Sequence, residues 1–269
     1  MTDAGALLDL PQLSWAEVCA RRLDRHALVA PIRDGGPADA VGAMCGAHAQ
    51  VLSAAEVSVA LRVAGGTRTG VRDAVWTERS LVKTFGPRGT VHLLPALDLP
   101  LWTGALAALP VAGPVMPPAA RLTPGQTDEV VAAVGAALAD AELTVDELTE
   151  EVAARAGAWA ADPVMPAFQG WWPRWRQVMY VAAHRGALCF GPNRGRKATY
   201  TSPRRWLPGF RPMPAADALA GLVRRYLHAY GPATPQHFAQ WLAAPRRWAA
   251  ELFDSLAAEL EQVRVGDAV

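Results

Sequence analysis

The sequence is short of the residues that would fix its class at once. It has three cysteines, Cys19, Cys45 and Cys189. They are odd in number and widely scattered, which fits neither a disulfide framework nor a metal site. Lysine is almost missing: of 26 basic residues only Lys83 and Lys197 are lysines, so few amines are available for Schiff-base chemistry. No apolar run reaches the ~18 residues of a membrane span. The N-terminus, MTDAGALLDLPQLSW, lacks the basic start and apolar stretch of a signal peptide. The expected setting is cytoplasmic and reducing, with no membrane partner. Fingerprints of the common cofactor folds are missing too: no Rossmann glycine pattern, P-loop, His-Glu-x-x-His or Gly-x-Ser-x-Gly. GPNRGRK at 191–197 has the wrong spacing for a phosphate loop. The expectation is therefore no cofactor and no metal.

What is present fills a core and carries an uneven charge. Apolar residues make up 51% of the chain and charged residues 19%, enough for one large or two to three small domains. The net charge of +1 hides a segregation. Residues 123–162 hold nine acids against Arg155 alone, whereas 163–216 hold nine basic residues and no acid. Either one face meets a polyanion, or the two segments pair across the fold. The arginine excess suits forked contacts to phosphate or guanine.

Helix starts are read from capping chemistry. Ser14-x-x-Glu17, Ser53-x-x-Glu56 and Thr144-x-x-Glu147 fit capping boxes, and Thr123-Pro124 and Thr234-Pro235 place a hydroxyl before proline at the first helical position. Strands come as hairpins. LVKTF–GPRG–TVHLL is one, and GALCF–GPNRGRK–ATYTS is a second with a longer, basic tip. Helices leading into a hairpin are the winged-helix pattern, predicted over 12–110 and again over 123–211, after an N-terminal segment 1–11. A third unit over 215–269 ends in EQVRV and a Gly-Asp turn without a return strand. The expected fold is mostly α with small β wings, in tandem winged-helix repeats. Such helices fit the DNA major groove, although winged helices also dock proteins.

MCGAHAQVLSA, residues 44–54, places one histidine and one glutamine two positions apart among tiny and apolar residues. On a helix, side chains at i and i+2 point about 200° apart and cannot share a site. In extended backbone they share a side. With Ser53 capping the next helix, residues 48–52 form a linker in which His48 and Gln50 converge over a floor of small residues.

Here the sequence resembles the AlkZ/YcaQ-type alkylpurine DNA glycosylases, a family of tandem winged helices. The resemblance rests on GAHAQ at 46–50, where the family has its glutamine-x-glutamine or glutamine-x-aspartate motif. It rests also on LVKTFGPRGTVHLLPALDL at 81–99 with its Arg-Gly-Thr-x-His core, Arg88 to His92, and on GWWPRWRQVMYVAAHRGAL with GPNRGRKATYTSPRRWLP. It covers nearly the whole chain. Three departures stand out: His48 where glutamine is usual, Phe85 where tryptophan is common, and no small β-barrel after the third unit. His-x-Gln is similar to the subgroup associated with resistance to bulky intercalating alkylators of the pluramycin (hedamycin) type.

The resemblance implies a monofunctional glycosylase releasing bulky N7-alkylguanine from double-stranded DNA, in repair or self-resistance, with His48 activating and Gln50 positioning a water. It implies DNA contacts from Arg68, Arg72, Arg79, Arg88, Arg194, Arg196 and Lys197. Trp76 and Trp172 are candidates for stacking on the adduct, against the alternative that the tryptophans are core. His92 reads as a structural or phosphate-contacting residue. A winged-helix transcriptional regulator is the rival reading, but regulators of that kind are usually symmetric dimers. This chain strings unlike modules together and shows no dimer helix, so a monomer on the nucleoid is expected.

Overall fold

The structure, a computed structural model, describes residues 10–110, 116–167 and 170–266. The described chain enters on a short strand, β1 (Gln12–Leu13), and a helix, α1 (Trp15–Arg25), capped by the Ser14–Glu17 box. A first unit follows in the order helix, strand, helix, helix, strand, strand: α2 (Pro37–Ala43), β2 (Ala47–His48), α3 (Leu52–Ala60), α4 (Arg68–Trp76), β3 (Leu81–Phe85) and β4 (Val91–Pro95). Helix α5 (Leu99–Ala107) leads away from it. The second unit repeats the order with α6 (Pro124–Leu138), β5 (Glu142–Thr144) and α7 (Val145–Ala156). It then inserts a hairpin, β6 (Pro163–Ala167) and β7 (Gly170–Pro173), before α8 (Met179–His184), β8 (Cys189–Arg194) and β9 (Lys197–Thr201). The third unit has α9 (Ala215–Tyr230), α10 (Pro235–Leu242), α11 (Arg246–Ser255) and β10 (Arg264–Val265).

Each of the first two units closes a three-stranded sheet in the same order, β2-β4-β3 and β5-β9-β8, which is the winged-helix topology twice over. The mostly helical tandem winged-helix fold is thus the one the sequence predicts, and the described strands close no barrel. The second hairpin has a tighter tip than expected. Its strands run to Arg194 and from Lys197, with a register shift after Gly191, so the turn is Gly195–Arg196 alone.

Four of the five predicted caps form. Ser14, Thr123, Thr144 and Thr234 each accept the N–H three residues on, and each is a full capping box. The Ser53–Glu56 box does not form. Helix α3 starts two residues earlier, at Leu52, with Val51 at the cap and no side-chain capping bond. Glu56 is buried instead, 2% exposed, and accepts from Arg68 Nε (2.9 Å) and Arg72 Nε and Nη2 (2.6 and 3.0 Å). A carboxylate paired with two guanidiniums has no reach left for a cap.

The β3–β4 hairpin is a partition between two cores rather than a free wing. Strand alternation sends Leu81, Val91 and Leu93 into a core shared with α2–α4 and α6–α8, where Leu138, Leu148 and Trp175 are fully buried. It sends Val82 and Leu94 into a second core with Trp102, Leu222, Phe238 and Leu242. Each such fully buried side chain contributes about 1.5–3 kcal/mol. Helix α1 docks on the third unit. Arg22 donates to Pro232 O (3.0 Å), Arg25 to His228 O (2.9 Å) and His26 Nε2 to Ala229 O (3.0 Å). β1 pairs in parallel with β10, Gln12 opposite Arg264.

The segregated charges meet across the second unit. Arg174 pairs with Asp162 (3.4 Å), Arg185 with Asp128 (2.6 Å), Arg194 with Glu147 (2.7 Å) and Lys197 with Asp146 (2.6 Å). Four of the nine basic residues of 163–216 are therefore spent on the acidic segment beside them.

Candidate active site

His48 and Gln50 converge because the chain between α2 and α3 is extended. α2 ends through Cys45 (φ 54°) and Gly46 (φ 92°), both left-handed. A Cβ at Gly46 would lie 3.1 Å from Leu94 Cδ2 and 3.6 Å from Trp102, so glycine answers both the angle and the close approach. β2 then pairs antiparallel with β4, His48 opposite His92 and Ala47 opposite Leu93. Ala49 N–H donates to Val91 O (2.7 Å), continuing the ladder. With period two, Ala47 and Ala49 are buried beneath the segment while His48 and Gln50 are both exposed above it. The small residues are the floor and the polar pair stands on it.

Gln50 is oriented by the backbone. Its Oε1 accepts the Val91 N–H (3.3 Å), which turns the amide NH2 outward as a donor. His48 faces His92, with ring centroids 5.4 Å apart in an edge-to-face arrangement. His92 is 4% exposed, and its Nδ1 donates to Thr90 O (2.9 Å). Burial pushes its pKa down to about 4. The Thr90 bond opposes the shift, while nearby His48, Arg88 and His184 add to it. His92 is therefore neutral, with its lone pair on Nε2. Behind it, Gly86 N–H donates to Thr90 O (2.9 Å) and His184 Nε2 to Gly86 O (3.2 Å). A Cβ at Gly86 would fall 2.8 Å from His92 Cγ and Nδ1, so this glycine makes the space for the ring.

The other predicted site residues lie as follows. Arg68 and Arg72 are half exposed and held by Glu56. Burial raises the Glu56 pKa, but the hydrogen bonds from Arg72 and Arg68 prevail and hold its carboxyl below the usual range. Arg79 (φ 58°) stacks on Trp206, its Cζ 5.0 Å from the ring centre. It borders an open cleft of about 530 Å³ with Asp39, Ser80, Pro95 and Leu97; neither His48 nor Gln50 lines that cleft. Arg88, left-handed at the tip of the first hairpin, donates to Trp241 O (2.7 Å) in the third unit. Arg194 donates to both Glu147 carboxylate oxygens (2.7 and 3.0 Å) and to Glu142 O (2.8 Å). Lys197 donates to Asp146 (2.6 Å). Arg196 is exposed at the hairpin tip and makes no ion pair among the described residues. Trp76 is half-buried against the first core.

Of the three tryptophans in GWWPRW, one is core and two are not. Trp175 is fully buried and its indole N–H donates to Thr149 Oγ1 (2.9 Å). Trp171 is 63% exposed and Trp172 37% exposed, because both belong to the β6–β7 hairpin rather than to a helix. Trp172 stacks on Arg176, whose Cζ is 4.0 Å from the ring centre. Sequence reasoning missed the hairpin, since its strands carry Pro163, Pro166 and Pro173. It also missed His92 as a neighbour of His48. Alternation in VHLLP places His92 opposite in facing to Val91 and Leu93, but the third strand that brings His48 to it is two residues long. No group of three or more His, Cys, Asp or Glu among the described residues could hold a metal. No helix among them is long and apolar enough to cross a membrane.

Comparison with known proteins gives one consistent match. The family model for AlkZ-like DNA glycosylases matches residues 41–269. A protein of Streptomyces sahachiroi named interstrand DNA cross-link repair glycosylase is 36% identical over 258 residues, covering 90% of this chain and 66% of that protein. This chain thus spans slightly under two thirds of that relative. The solved structure of Streptomyces sahachiroi DNA glycosylase AlkZ superposes with a TM-score of 0.79 at 32% identity, covering 94% of this chain and 68% of the other.

Proposed function

The chain belongs to the AlkZ-like DNA glycosylase family, and from that premise we propose that it is a monofunctional glycosylase hydrolysing the N-glycosidic bond of bulky N7-alkylguanine in double-stranded DNA. The observation that carries this reading is the exposed pair His48 and Gln50 on an extended segment, both on one side, with Gln50 locked by Val91 N–H.

Alkylation at N7 leaves guanine positively charged and already a good leaving group, so the enzyme's task lies at the sugar. A water accepts a hydrogen bond from the Gln50 amide and donates one to the His48 imidazole, leaving a lone pair for C1′. As the C1′–N9 bond breaks, its electron pair neutralises the purine. The water oxygen bonds to C1′ and its proton passes to His48 and then to solvent. Among the described residues no amine stands at this pair. Lys83 Nζ lies 4.5 Å from the Phe190 ring centre and Lys197 is paired with Asp146, which favours hydrolysis without a Schiff base or strand nicking. Trp172, partly exposed on its hairpin, and Trp76 are the proposed stacking surfaces for an aromatic adduct. Arg196 is the proposed phosphate contact of the second wing. Arg68, Arg72, Arg79, Arg88, Arg194 and Lys197 can serve DNA only alongside or in place of their present partners. The protein acts as a monomer on nucleoid DNA, in repair or in self-resistance to a genotoxic natural product of the hedamycin kind. A purine cross-linked to the opposite strand is a special case of the same adduct.

The test is base release from a duplex carrying a bulky N7-guanine adduct, with His48→Ala and Gln50→Ala beside the wild type. The expected result is release well above spontaneous depurination, slowed about 10²–10⁴-fold in His48→Ala and also slowed in Gln50→Ala, with duplex affinity kept. Binding without release in the wild type would overturn the enzymatic reading. Covalent trapping by borohydride would overturn the monofunctional one.

A further inference from the structure

Arg176 stands out among the basic residues of the second unit. It lies in the turn between the β6–β7 hairpin and α8, half-buried, with its guanidinium carbon over the Trp172 ring, 4.0 Å from the ring centre. Its Nε is buried with no partner, and among the described residues none of its five N–H groups makes a hydrogen bond or an ion pair. The contrast with its neighbours is plain. Arg174, two residues earlier, donates to Ala119 O (3.0 Å) and Asp162 (3.4 Å). Asp146, a carboxylate close enough to act on Arg176, is already taken by Lys197 (2.6 Å). Burial lowers the Arg176 pKa, the mark of a desolvated cation. A half-buried guanidinium with unspent donors is costly in isolation. Here it is also held rigid by a stacked indole, so its fork is set in place before any ligand arrives.

We propose that Arg176, held by Trp172, is a binding site for a backbone phosphate of duplex DNA. Guanidinium forks take phosphate oxygens in bidentate fashion. The site adjoins the second wing, where Arg196 is also without an ion-pair partner among the described residues. Two such groups in one unit favour an extended polyanion over a single ion. The exposed Trp171 on the same hairpin adds a flat apolar surface beside the phosphate track. The proposal rests on the DNA-binding part of the reading above and not on its chemistry.

The experiment measures binding of a fluorescein-labelled, undamaged 20-base-pair duplex by anisotropy across a NaCl series, for wild type, Arg176→Gln and Arg176→Leu. One lost phosphate contact makes the slope of log K against log[NaCl] shallower by about 0.9, and Kd rises roughly tenfold. Because Arg176 makes no hydrogen bond among the described residues, Arg176→Leu is expected to melt at or above the wild-type temperature. A merely structural residue would not combine lost DNA affinity with kept stability. A salt slope equal to wild type in whichever variant is folded overturns the proposal. Loss of base release in the wild type with an intact slope change would instead overturn the glycosylase reading and leave this site standing.

Discussion

Lowering the pH from 7 to 5 is expected to cost this protein a large share of its stability, and two histidines account for most of it. His92 and His184 are 4% and 8% exposed, and burial pushes each pKa down to about 4. In the unfolded chain each returns to about 6.5. A folded pKa below the unfolded one means that the unfolded chain takes up the proton first. The stability is fully present above about pH 6.5 and is lost as the pH falls toward 4. From pH 7 to 5 each histidine contributes a loss of about 2 kcal/mol, and the two together about 4 kcal/mol. That compares with a typical total of about 5–15 kcal/mol. Burial lowers the His26 pKa as well, which adds in the same direction. The carboxylates held below their usual range, Glu17, Glu56 and Glu147, lose their contribution almost entirely below this window. Urea unfolding at pH 7 and 5 is the assay. His92→Asn keeps a donor at the Nδ1 position and His184→Gln one at Nε2, and neither titrates. The double variant is expected to show little of the loss. If it loses as much stability as the wild type between the two pH values, buried neutral histidines are not the cause.

Glu56→Ala leaves Arg68 and Arg72 without their shared carboxylate. It is expected to destabilise by on the order of 1–2 kcal/mol, less than for a fully buried pair because both guanidiniums are half exposed; thermal melting reads this directly. Gly86→Ala would drive a methyl into His92, which lies 2.8 Å from the Cβ position. A stability loss of about 1–3 kcal/mol is expected, together with slower base release as the ring behind His48 is displaced. Trp172→Ala is expected to weaken binding of an adducted duplex by roughly 5- to 150-fold, the range of one stacked ring. A titration giving equal loss on adducted and undamaged duplex would assign Trp172 to the backbone track alone.

Local chemistry made much of the fold legible. Ser14, Thr123, Thr144 and Thr234 begin helices because a hydroxyl facing a free N–H acts within three residues, and Phe-Gly-Pro turned the first hairpin, whereas in the second it lies within β8 and the turn falls at Gly195–Arg196. The extended backbone around His48 and Gln50 was inferred from a cap at Ser53 that does not form; it is extended because β2 pairs with β4. What escaped depended on partners distant in sequence. Ser53 looked like a cap only while Glu56 had no other use, and Arg68 and Arg72 supplied one. The run of acids and the run of bases suggested a polyanion face, yet four ion pairs between them answer much of that asymmetry locally. Trp171 and Trp172 left their helical pattern because three prolines favour a short edge hairpin over a helix turn.

The docking of α1 also bears on how the chain is made. Its polar anchors are Pro232, His228 and Ala229, 203–210 residues further along. At roughly 5–20 residues per second, a ribosome delivers those partners some 10–40 s after α1 emerges. The first two units can meanwhile build their shared core, which draws on α2–α4 and α6–α8 and not on α1. The nascent protein thus has its histidine–glutamine segment folded before its leading helix has anywhere to bind, and a chaperone that shields α1 would act in that interval.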